Sequence, residues 1–320
     1  MAFAGPAQQS RRRTGTGGTS LSRSVFQRRH GGESGRRGWK ARAPGERGES
    51  MAEGSQQAGG AARPNAAVVV PARYASTRLP GKPLAEIGGE PMVVRVARRG
   101  ERAGCGPVTV ATDDERVMAA CREHGVAAVM TRADHPSGSD RVHEALGLLS
   151  GEAPAAVVVL QGDLPLVDPA HIRETLAILD ANPDADIATL ATVIESDAEA
   201  DDPNVVKAVA TPVRGDGTRP GDRLRALWFS RARAPHGDGP LLHHVGLYAY
   251  RTASLRRFVG LPPGVLERRE SLEQLRALEN GMGIDIGIVD GQPLGVDTPA
   301  LLEEARRLAA LESTATEGDA

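Results

Sequence analysis

The sequence predicts an α/β fold, in which helices lie on both faces of a mostly parallel sheet. From Ala66 onward, short apolar segments alternate with longer segments of helical periodicity, which is typical of βαβ units. The apolar segments are continuous, as expected of parallel strands that are covered on both faces. Four strand-like segments after Ala185 predict a smaller antiparallel insertion over about residues 186–250.

The first part of this domain is predicted to contain four strands, each followed by a helix. The strands are AAVVVPAR (66–73), PVTVATD (107–113), VAAVMT (126–131) and APAAVVVLQGD (153–163). The helices are PMVVRVARRGERAG (91–104), DERVMAACREHG (114–125), SGSDRVHEALGLL (137–149) and DPAHIRETLAIL (168–179). An acidic start and a glycine after the end mark the second helix.

The insertion and the end of the domain follow from the remaining segments. The insertion strands are DIATLATVI (186–194), NVVKAVAT (204–211), RLRALWFSR (223–231) and HHVGLYAY (243–250). A helix is predicted over 264–281, a strand over 284–290 and a last helix over 298–311. The domain is therefore predicted to span 65–313, with a disordered tail over 314–320.

Residues 1–64 are rich in Gly, Ser and Arg and show no apolar periodicity, so they are predicted to be a disordered basic tail. Three interpretations stay open: an organelle-targeting peptide, a tail that contacts polyanions, or an over-extended start of translation with Met51 or a later codon as the real beginning. Residues 1–50 hold 11 of 39 basic and 3 of 41 acidic residues, which leaves 28 basic and 38 acidic residues beyond them. The body is thus acidic, which argues against a broad nucleic-acid-binding face.

The composition also indicates where in the cell the protein is expected to act. No apolar run reaches about 18 residues, and no apolar segment near Met1 resembles a secretory signal, so no membrane partner is expected. Cys105 and Cys121 have no paired spacing, which favours a reducing, cytoplasmic setting.

A basic loop follows the first strand. Arg73, Arg78 and Lys82 lie in a segment with three prolines and a glycine, which stiffen the backbone. Such a loop is either an ordinary solvated surface or a site for an anion such as phosphate. It is neither a G-x-G-x-x-G turn nor a P-loop, which argues against a nicotinamide dehydrogenase and a P-loop NTPase.

Two aspartates lie at predicted strand ends. Asp163 closes an apolar strand, two residues after Gln161, and Asp297 stands before the last helix. Each aspartate alone is weak evidence, because an aspartate at such a position also serves as a turn former or helix cap. Together with the basic loop, they predict a Mg²⁺–triphosphate site, because ligands of open α/β sheets bind at the carboxyl ends of the strands.

Three further features have a structural and a functional interpretation. HPSGSDR (135–141) opens a helix, and its backbone N–H groups either cap that helix or contact a base edge or phosphate. Glu270 and Gln274 are spaced i, i+4, which predicts one helix face that is solvated or contacts sugar hydroxyls. His244 follows the pattern of a partly buried, satisfied histidine.

These motifs, in their order, resemble the 3-deoxy-manno-octulosonate (Kdo) cytidylyltransferases. The resemblance covers about Ala66 to Leu311 and rests on PARYASTRLPGKPL, ATDDERV, TRADHPSGSDR, QGDLP, PNVVKAV, FSRA, HHVGLYAY, LEQLRALE and GVDTP. It implies a Rossmann-like nucleotide-diphospho-sugar transferase fold, whose smaller β-rich part makes a homodimer. It implies an enzyme that transfers CMP from CTP to Kdo, for lipopolysaccharide biosynthesis.

The resemblance also implies roles for individual residues. Nucleotide binding falls to Arg73, Ser76, Lys82, Ser137, Gly138 and Ser139, and the sugar pocket to Arg78, Gln161, His244, Glu270 and Gln274. Asp163 and Asp297 bind Mg²⁺ and, with Lys82, form the catalytic set. Leu164 and Ser139 depart from the Glu and Thr of many members. Because the position of Leu164 neighbours the metal and the sugar pocket in the family, another acid sugar, an 8-amino ulosonate or a sialic acid, is an open alternative. Two alternatives lie outside the cytidylyltransferases: a non-catalytic nucleotide-sensing module and a polyanion-binding protein.

Overall fold

The strands of the domain form one large sheet and one small sheet. The computed structural model describes residues 65–76 and 78–318, and side chains are described as far as 312. Residues 1–64, where the sequence predicts a disordered tail, lie outside the described residues, as do 77 and 319–320. The strands are β1 (Ala66–Ala72), β2 (Glu86–Ile87), β3 (Glu90–Pro91), β4 (Val108–Thr112), β5 (Ala128–Met130), β6 (Ala156–Val159), β7 (Ile187–Val193), β8 (Lys207–Arg214), β9 (Arg223–Ser230), β10 (Leu242–Arg251) and β11 (Ile284–Ile288).

The large sheet is mixed, with strand order β5-β4-β1-β6-β10-β7-β11-β9-β8. Strands β5, β4, β1 and β6 pair in parallel, as do β7 and β11. Strand β10 runs antiparallel to both β6 and β7, and β9 runs antiparallel to both β11 and β8. The predicted insertion strands therefore extend the same sheet, and β2 and β3 form a separate two-stranded antiparallel sheet.

Helices cover both faces of the large sheet. They are α1 (Met92–Ala103), α2 (Glu115–Glu123), α3 (Gly138–Leu148), α4 (Pro169–Ala181), α5 (Asp197–Asp201), α6 (Thr252–Val259), α7 (Val265–Glu270), α8 (Gln274–Glu279) and α9 (Pro299–Gly318). The predicted α/β class is confirmed. None of these described helices is long and apolar enough to span a bilayer. Helix α9 continues beyond residue 313, where the sequence predicts the end of the domain.

Strand β1 shows why its sequence is apolar at every position. Val68 and Val70 pack into the cluster that contains the apolar side of α1, whereas Val69 packs into the cluster on the opposite face, with Val142 of α3. All three valines of β1 are fully buried. Because successive side chains of a strand point to opposite faces, a strand that is covered on both faces needs apolar side chains at every position, as the sequence predicts.

The single helix predicted over 264–281 is wrong, because α7 and α8 are separate. Ser271 adopts a left-handed conformation, with φ 54°, and ends α7. The guanidinium of Arg231 donates to the backbone carbonyls of Glu270 and Ser271, which no longer have helical partners. The break turns Leu272 into the core. Glu270 and Gln274 therefore do not share one helix face.

Gly106 holds β4 against the start of β1, and we expect Gly106→Ala to destabilise the protein strongly. Its φ is 142°, and an added Cβ would lie 1.9 Å from the carbonyl oxygen of Ala66. A backbone clash of this kind should cost about 3 kcal/mol of unfolding free energy, at the top of the range for overpacking. Gly104→Ala is the matched control, because Gly104 also has a positive φ, of 63°, but no neighbour within 4 Å of the added Cβ. It should cost about 1 kcal/mol from backbone strain alone. Equal shifts of the urea midpoint in the two variants would contradict the steric explanation.

Candidate active site

The basic loop after β1 presents Lys82 from a constrained backbone. Gly81 takes φ 68° and precedes a short 3-10 helix, Lys82–Leu84, in which Pro83 is buried. The backbone N–H of Lys82 donates to the carbonyl of Leu79, and its carbonyl accepts from the N–H of Ala85. The backbone of Lys82 is thus fixed from both sides, and only its side-chain torsions stay adjustable.

A separate apolar cluster brings this loop next to the segment that carries Asp297. Leu79 of the loop and Val296, which precedes Asp297, belong to one buried cluster with Ala305 of α9. The backbone N–H of Val296 donates to the carbonyl of Asp163 at 2.9 Å. These contacts place both aspartates and the loop at one edge of the sheet, beyond the carboxyl ends of β1 and β6.

Three charged side chains meet at this edge around Asp297. The ammonium of Lys82 donates to Asp163 Oδ2 at 2.8 Å and to Asp297 Oδ1 at 2.6 Å. Arg78 Nη2 donates to Asp297 Oδ2 at 2.7 Å. Burial alone would raise the pKa of the Asp297 carboxyl, but the hydrogen bond and charge of Lys82, with those of Arg78, lower the pKa below its usual value. Asp297 is therefore held as a carboxylate.

A cleft of about 620 Å³ opens above these groups. Nine of the predicted site residues line it: Arg73, Ser76, Arg78, Lys82, Ser137, Gly138, Gln161, Asp163 and Asp297. A volume of this size accommodates a nucleotide-sized ligand. The position agrees with the rule that open α/β sheets bind ligands at the carboxyl ends of their strands.

Four predicted site residues do not line this cleft. Ser139 is buried beside Tyr250 and Glu273. Gln274 is buried at the start of α8, and Glu270 accepts hydrogen bonds from Ser230 Oγ and the Arg231 N–H. The carboxylate oxygens of Glu270 are thus already hydrogen-bonded, and Ser139 and Gln274 are each only 4% exposed. Their binding roles stay predictions.

His244 is the fourth predicted site residue that does not line the cleft. Its Nε2 lies 3.0 Å from Thr189 Oγ1, and its ring packs against Phe229. Burial lowers the pKa of this imidazole to about 3, so it is neutral at physiological pH. This is the satisfied histidine that the sequence pattern favours, and a role toward sugar stays a prediction.

Sequence reasoning missed an ion pair at the wall of the cleft. Arg141 Nη2 donates to Asp113 Oδ2 at 2.8 Å, and Arg141 Nη1 donates to Thr131 Oγ1 at 2.6 Å. The other oxygen of Asp113 accepts from the backbone N–H of Tyr74 at 3.2 Å. Asp113 therefore joins the basic loop to helix α3. Its place at the end of the strand PVTVATD was the signal that pointed to it.

The lining of the cleft includes further charged groups that the sequence did not indicate. Arg276 forms a two-pronged pair with Glu267, at 2.6 and 2.9 Å, and both residues line the cleft. Burial raises the pKa of Glu273, against the lowering effect of hydrogen bonds from Ser137 and Ser139. These residues come together only because the chain turns at Ser271, which the continuous predicted helix concealed.

The carboxylates at this edge fit a magnesium ion. Asp163 and Asp297 each place one oxygen within 2.8 Å of a single point, the Lys82 ammonium, and both side chains are about one-third exposed toward the cleft. Mg²⁺ prefers oxygen ligands and commonly uses only one or two protein carboxylates with substrate phosphates. Among the described residues, no cluster of three or more His, Cys, Asp or Glu side chains is placed to hold a metal.

Comparison with known proteins identifies the family. A family model described as cytidylyltransferase matches residues 67–285. The 3-deoxy-manno-octulosonate cytidylyltransferase of Azorhizobium caulinodans is 60% identical over 244 residues, which make up 76% of this chain and 95% of that protein. The chain belongs to the 3-deoxy-manno-octulosonate cytidylyltransferase family. The relative from Nitrobacter hamburgensis with the same name is 61% identical, covering 76% of this chain and 92% of the relative.

Solved structures agree with this family assignment. The structure of CMP:2-keto-3-deoxy-manno-octonic acid synthetase complexed with CTP is 41% identical, has a TM-score of 0.71 and covers 78% of this cytidylyltransferase and 99% of that chain. A putative glucose-1-phosphate thymidylyltransferase from Bacillus anthracis, 15% identical with a TM-score of 0.54, shares the fold. The predicted nucleotidyltransferase fold is thereby confirmed.

Proposed function

We propose that this cytidylyltransferase transfers CMP from CTP to Kdo and releases pyrophosphate, which supplies CMP-Kdo for lipopolysaccharide biosynthesis. The observation that carries the proposal is the meeting of Arg78, Lys82, Asp163 and Asp297 at one edge of the cleft. Two cationic side chains suit a triphosphate, and two carboxylates suit the cation that accompanies it. The CTP-bound relative supports the nucleotide, and the names of the curated relatives support the sugar.

In the proposed reaction, the anomeric hydroxyl of Kdo attacks the α-phosphorus of CTP. A C–O–P bond forms, the bond from the α-phosphorus to the bridging oxygen of the β-phosphate breaks, and the hydroxyl proton passes to solvent. Arg73, Arg78 and Lys82 would hold the phosphates in line for this displacement. Mg²⁺ held by Asp163 and Asp297 supplies charge neutralisation at the phosphate oxygens when it is bound.

The nucleophile belongs to the sugar, so the chain's contribution is positioning and electrostatic. The fixed backbone of Lys82 and the anchoring of the loop through Asp113 suit this role, because they hold the cations before the ligand arrives. Ser137 and Gly138, at the start of α3, would face the cytosine, with Gln161 toward the sugar.

We also propose that the protein is a cytoplasmic homodimer. The family resemblance carries both proposals. In the structure, β8 ends the strand order, but its first residues, Lys207 and Ala208, also pair with β10, so only its later part is a free edge. Val213 in that later part and Leu227 on β9 are more than half exposed. An exposed edge with apolar side chains is suited to pairing with a second copy. Sedimentation velocity measures the oligomeric state directly.

The test of the proposed reaction is pyrophosphate release with CTP, Mg²⁺ and a panel of acid sugars. We expect release with Kdo, and slower release with N-acetylneuraminic acid. Faster release with 8-amino-3,8-dideoxy-manno-octulosonate than with Kdo would assign the other sugar to the same chemistry. No release with any of the three at saturating CTP would contradict the proposal. UTP in place of CTP is the matched nucleotide control.

A further inference from the structure

The ammonium of Lys82 lies between the two carboxylates that suit the metal. It donates to Asp163 Oδ2 at 2.8 Å and to Asp297 Oδ1 at 2.6 Å, and only 16% of the Lys82 side chain is exposed. Arg78 occupies the second oxygen of Asp297. Both carboxylates that would hold a divalent cation are therefore already paired with the chain's own cations.

We propose that Lys82 is a stand-in cation for the metal. Its ammonium leaves the two carboxylates only when a nucleoside triphosphate binds and the ammonium moves onto the phosphates. Binding of the divalent cation and of the nucleotide is then coupled through the movement of one side chain. This inference rests on the proposed function, because it takes Asp163 and Asp297 as the metal site.

The electrostatic reason is that one site cannot hold both cations. A divalent cation held by Asp163 and Asp297 would share these two carboxylates with the ammonium that is hydrogen-bonded to both of them. Like charges that share two carboxylates repel strongly in a partly buried site. Conversely, two carboxylates that share a site repel each other unless a cation lies between them. Lys82 supplies that cation before the nucleotide binds.

The structural reason is that Lys82 has a fixed backbone and an adjustable side chain. The hydrogen bonds of its N–H and carbonyl groups hold the backbone, and the adjacent Pro83 is buried. A lysine side chain is a flexible four-carbon stem that carries a compact point charge. Its ammonium can therefore exchange carboxylate partners for phosphate partners without any movement of the loop.

Thermodynamic linkage makes the consequence measurable. Removing the charge of Lys82 should strengthen the binding of a divalent cation in the absence of nucleotide, because the competing ammonium is gone. The nucleotide should then add less to metal affinity than it does in the wild type. Direct ligation of the metal by phosphates also couples the two ligands, so the diagnostic quantity is the metal affinity without nucleotide.

The experiment measures Mn²⁺ binding by electron paramagnetic resonance of the free ion, with and without α,β-methylene-CTP, which cannot transfer CMP. Mn²⁺ is the probe because it accepts the same oxygen ligands as Mg²⁺. For Lys82→Met we expect nucleotide-free Mn²⁺ affinity to rise about tenfold over the wild type, a change within the usual range for coupled sites. Lys82→Gln should behave in the same way, and Lys82→Arg, which keeps the charge, should stay near the wild type.

The charge-matched control is Arg307→Met. Arg307 is exposed on α9, pairs with Glu304 and does not line the cleft. It should leave Mn²⁺ affinity unchanged, which separates the local effect from the change in net charge. Melting temperatures of all variants show that the fold is retained.

The experiment distinguishes failure of the stand-in role of Lys82 from failure of the proposed metal site. If neither neutral variant of Lys82 binds Mn²⁺ more tightly without nucleotide, while the wild type binds it with α,β-methylene-CTP, the stand-in role is overturned and the proposed metal site stands. If Mn²⁺ binding in the presence of α,β-methylene-CTP is the same in wild type and Asp163→Asn, the metal site itself is wrong and the inference falls with it.

Discussion

Asp163→Asn and Asp297→Asn are each expected to lower the turnover number at least about 100-fold at saturating CTP and Mg²⁺, which corresponds to about 2.7 kcal/mol of transition-state stabilisation. Asparagine keeps the size of aspartate but removes the negative charge that would hold the metal. Each substitution also leaves Lys82 with one carboxylate in place of two. Pyrophosphate release under saturating conditions measures the effect.

The matched control is Asp168→Asn, the same chemical change five positions after Asp163. Asp168 caps helix α4, where its Oδ1 accepts from the N–H of Ala170, and it does not line the cleft. Asparagine caps helices about as well as aspartate, so this variant should keep wild-type turnover. Near-normal rates in either site variant at saturating Mg²⁺ would remove the metal assignment.

Lys82→Met is expected to raise the Michaelis constant for CTP and to lower turnover, while the fold survives. A charged hydrogen bond contributes about 1.5–3 kcal/mol, so kcat/KM should fall about 10- to 100-fold. Negative charge on the β- and γ-phosphates grows as pyrophosphate leaves, so an ammonium placed there should act on turnover as well as on binding. Methionine keeps much of the apolar stem, which is mostly buried.

Steady-state kinetics with varied CTP separates the two contributions. A rise in the Michaelis constant with unchanged turnover would restrict Lys82 to ground-state binding. Wild-type kinetics in Lys82→Met would show that Lys82 has no role in CTP binding or turnover. The two aspartates would then be the remaining support for a triphosphate site. The same variant should bind Mn²⁺ more tightly without nucleotide, so weaker catalysis and tighter metal binding are expected together.

The sequence was sufficient to predict that the basic loop and the two aspartates meet. Asp163 closes an apolar strand, and parallel strands in an open sheet bring their carboxyl ends to one edge. The sequence predicts Asp297 at a strand end, but it lies in the loop nine residues after β11 ends at Ile288. It reaches the edge through the burial of Val296 with Leu79 and the hydrogen bond from the Val296 N–H to the Asp163 carbonyl. The juxtaposition was predictable, whereas the packing that produces it was not.

The wall of the cleft beyond these groups was not predictable from the sequence. The break between α7 and α8 occurs at Ser271, a residue that seldom adopts a positive φ and so gives no signal of a turn. The pairs Arg141–Asp113 and Arg276–Glu267 join positions whose proximity depends on that break and on the packing of α3. Periodicity finds elements, but side-chain pairing across elements depends on how they pack.

The reversed strand β10 has a consequence for the order in which the chain folds. The pairings among β5, β4, β1 and β6 all lie within residues 66–159, whereas β6 finds its other neighbour only in β10, at residues 242–251. The chain is synthesised from its N-terminus, so these four strands are available for pairing before β10 is. We expect β1, β4, β5 and β6 to pair first, with the free edge of β6 unpaired until β10 is synthesised and docks. During that interval Val157, Val158 and Val159 present an unpaired apolar edge, which is the segment of this chain where chaperone capture or aggregation of nascent protein should concentrate.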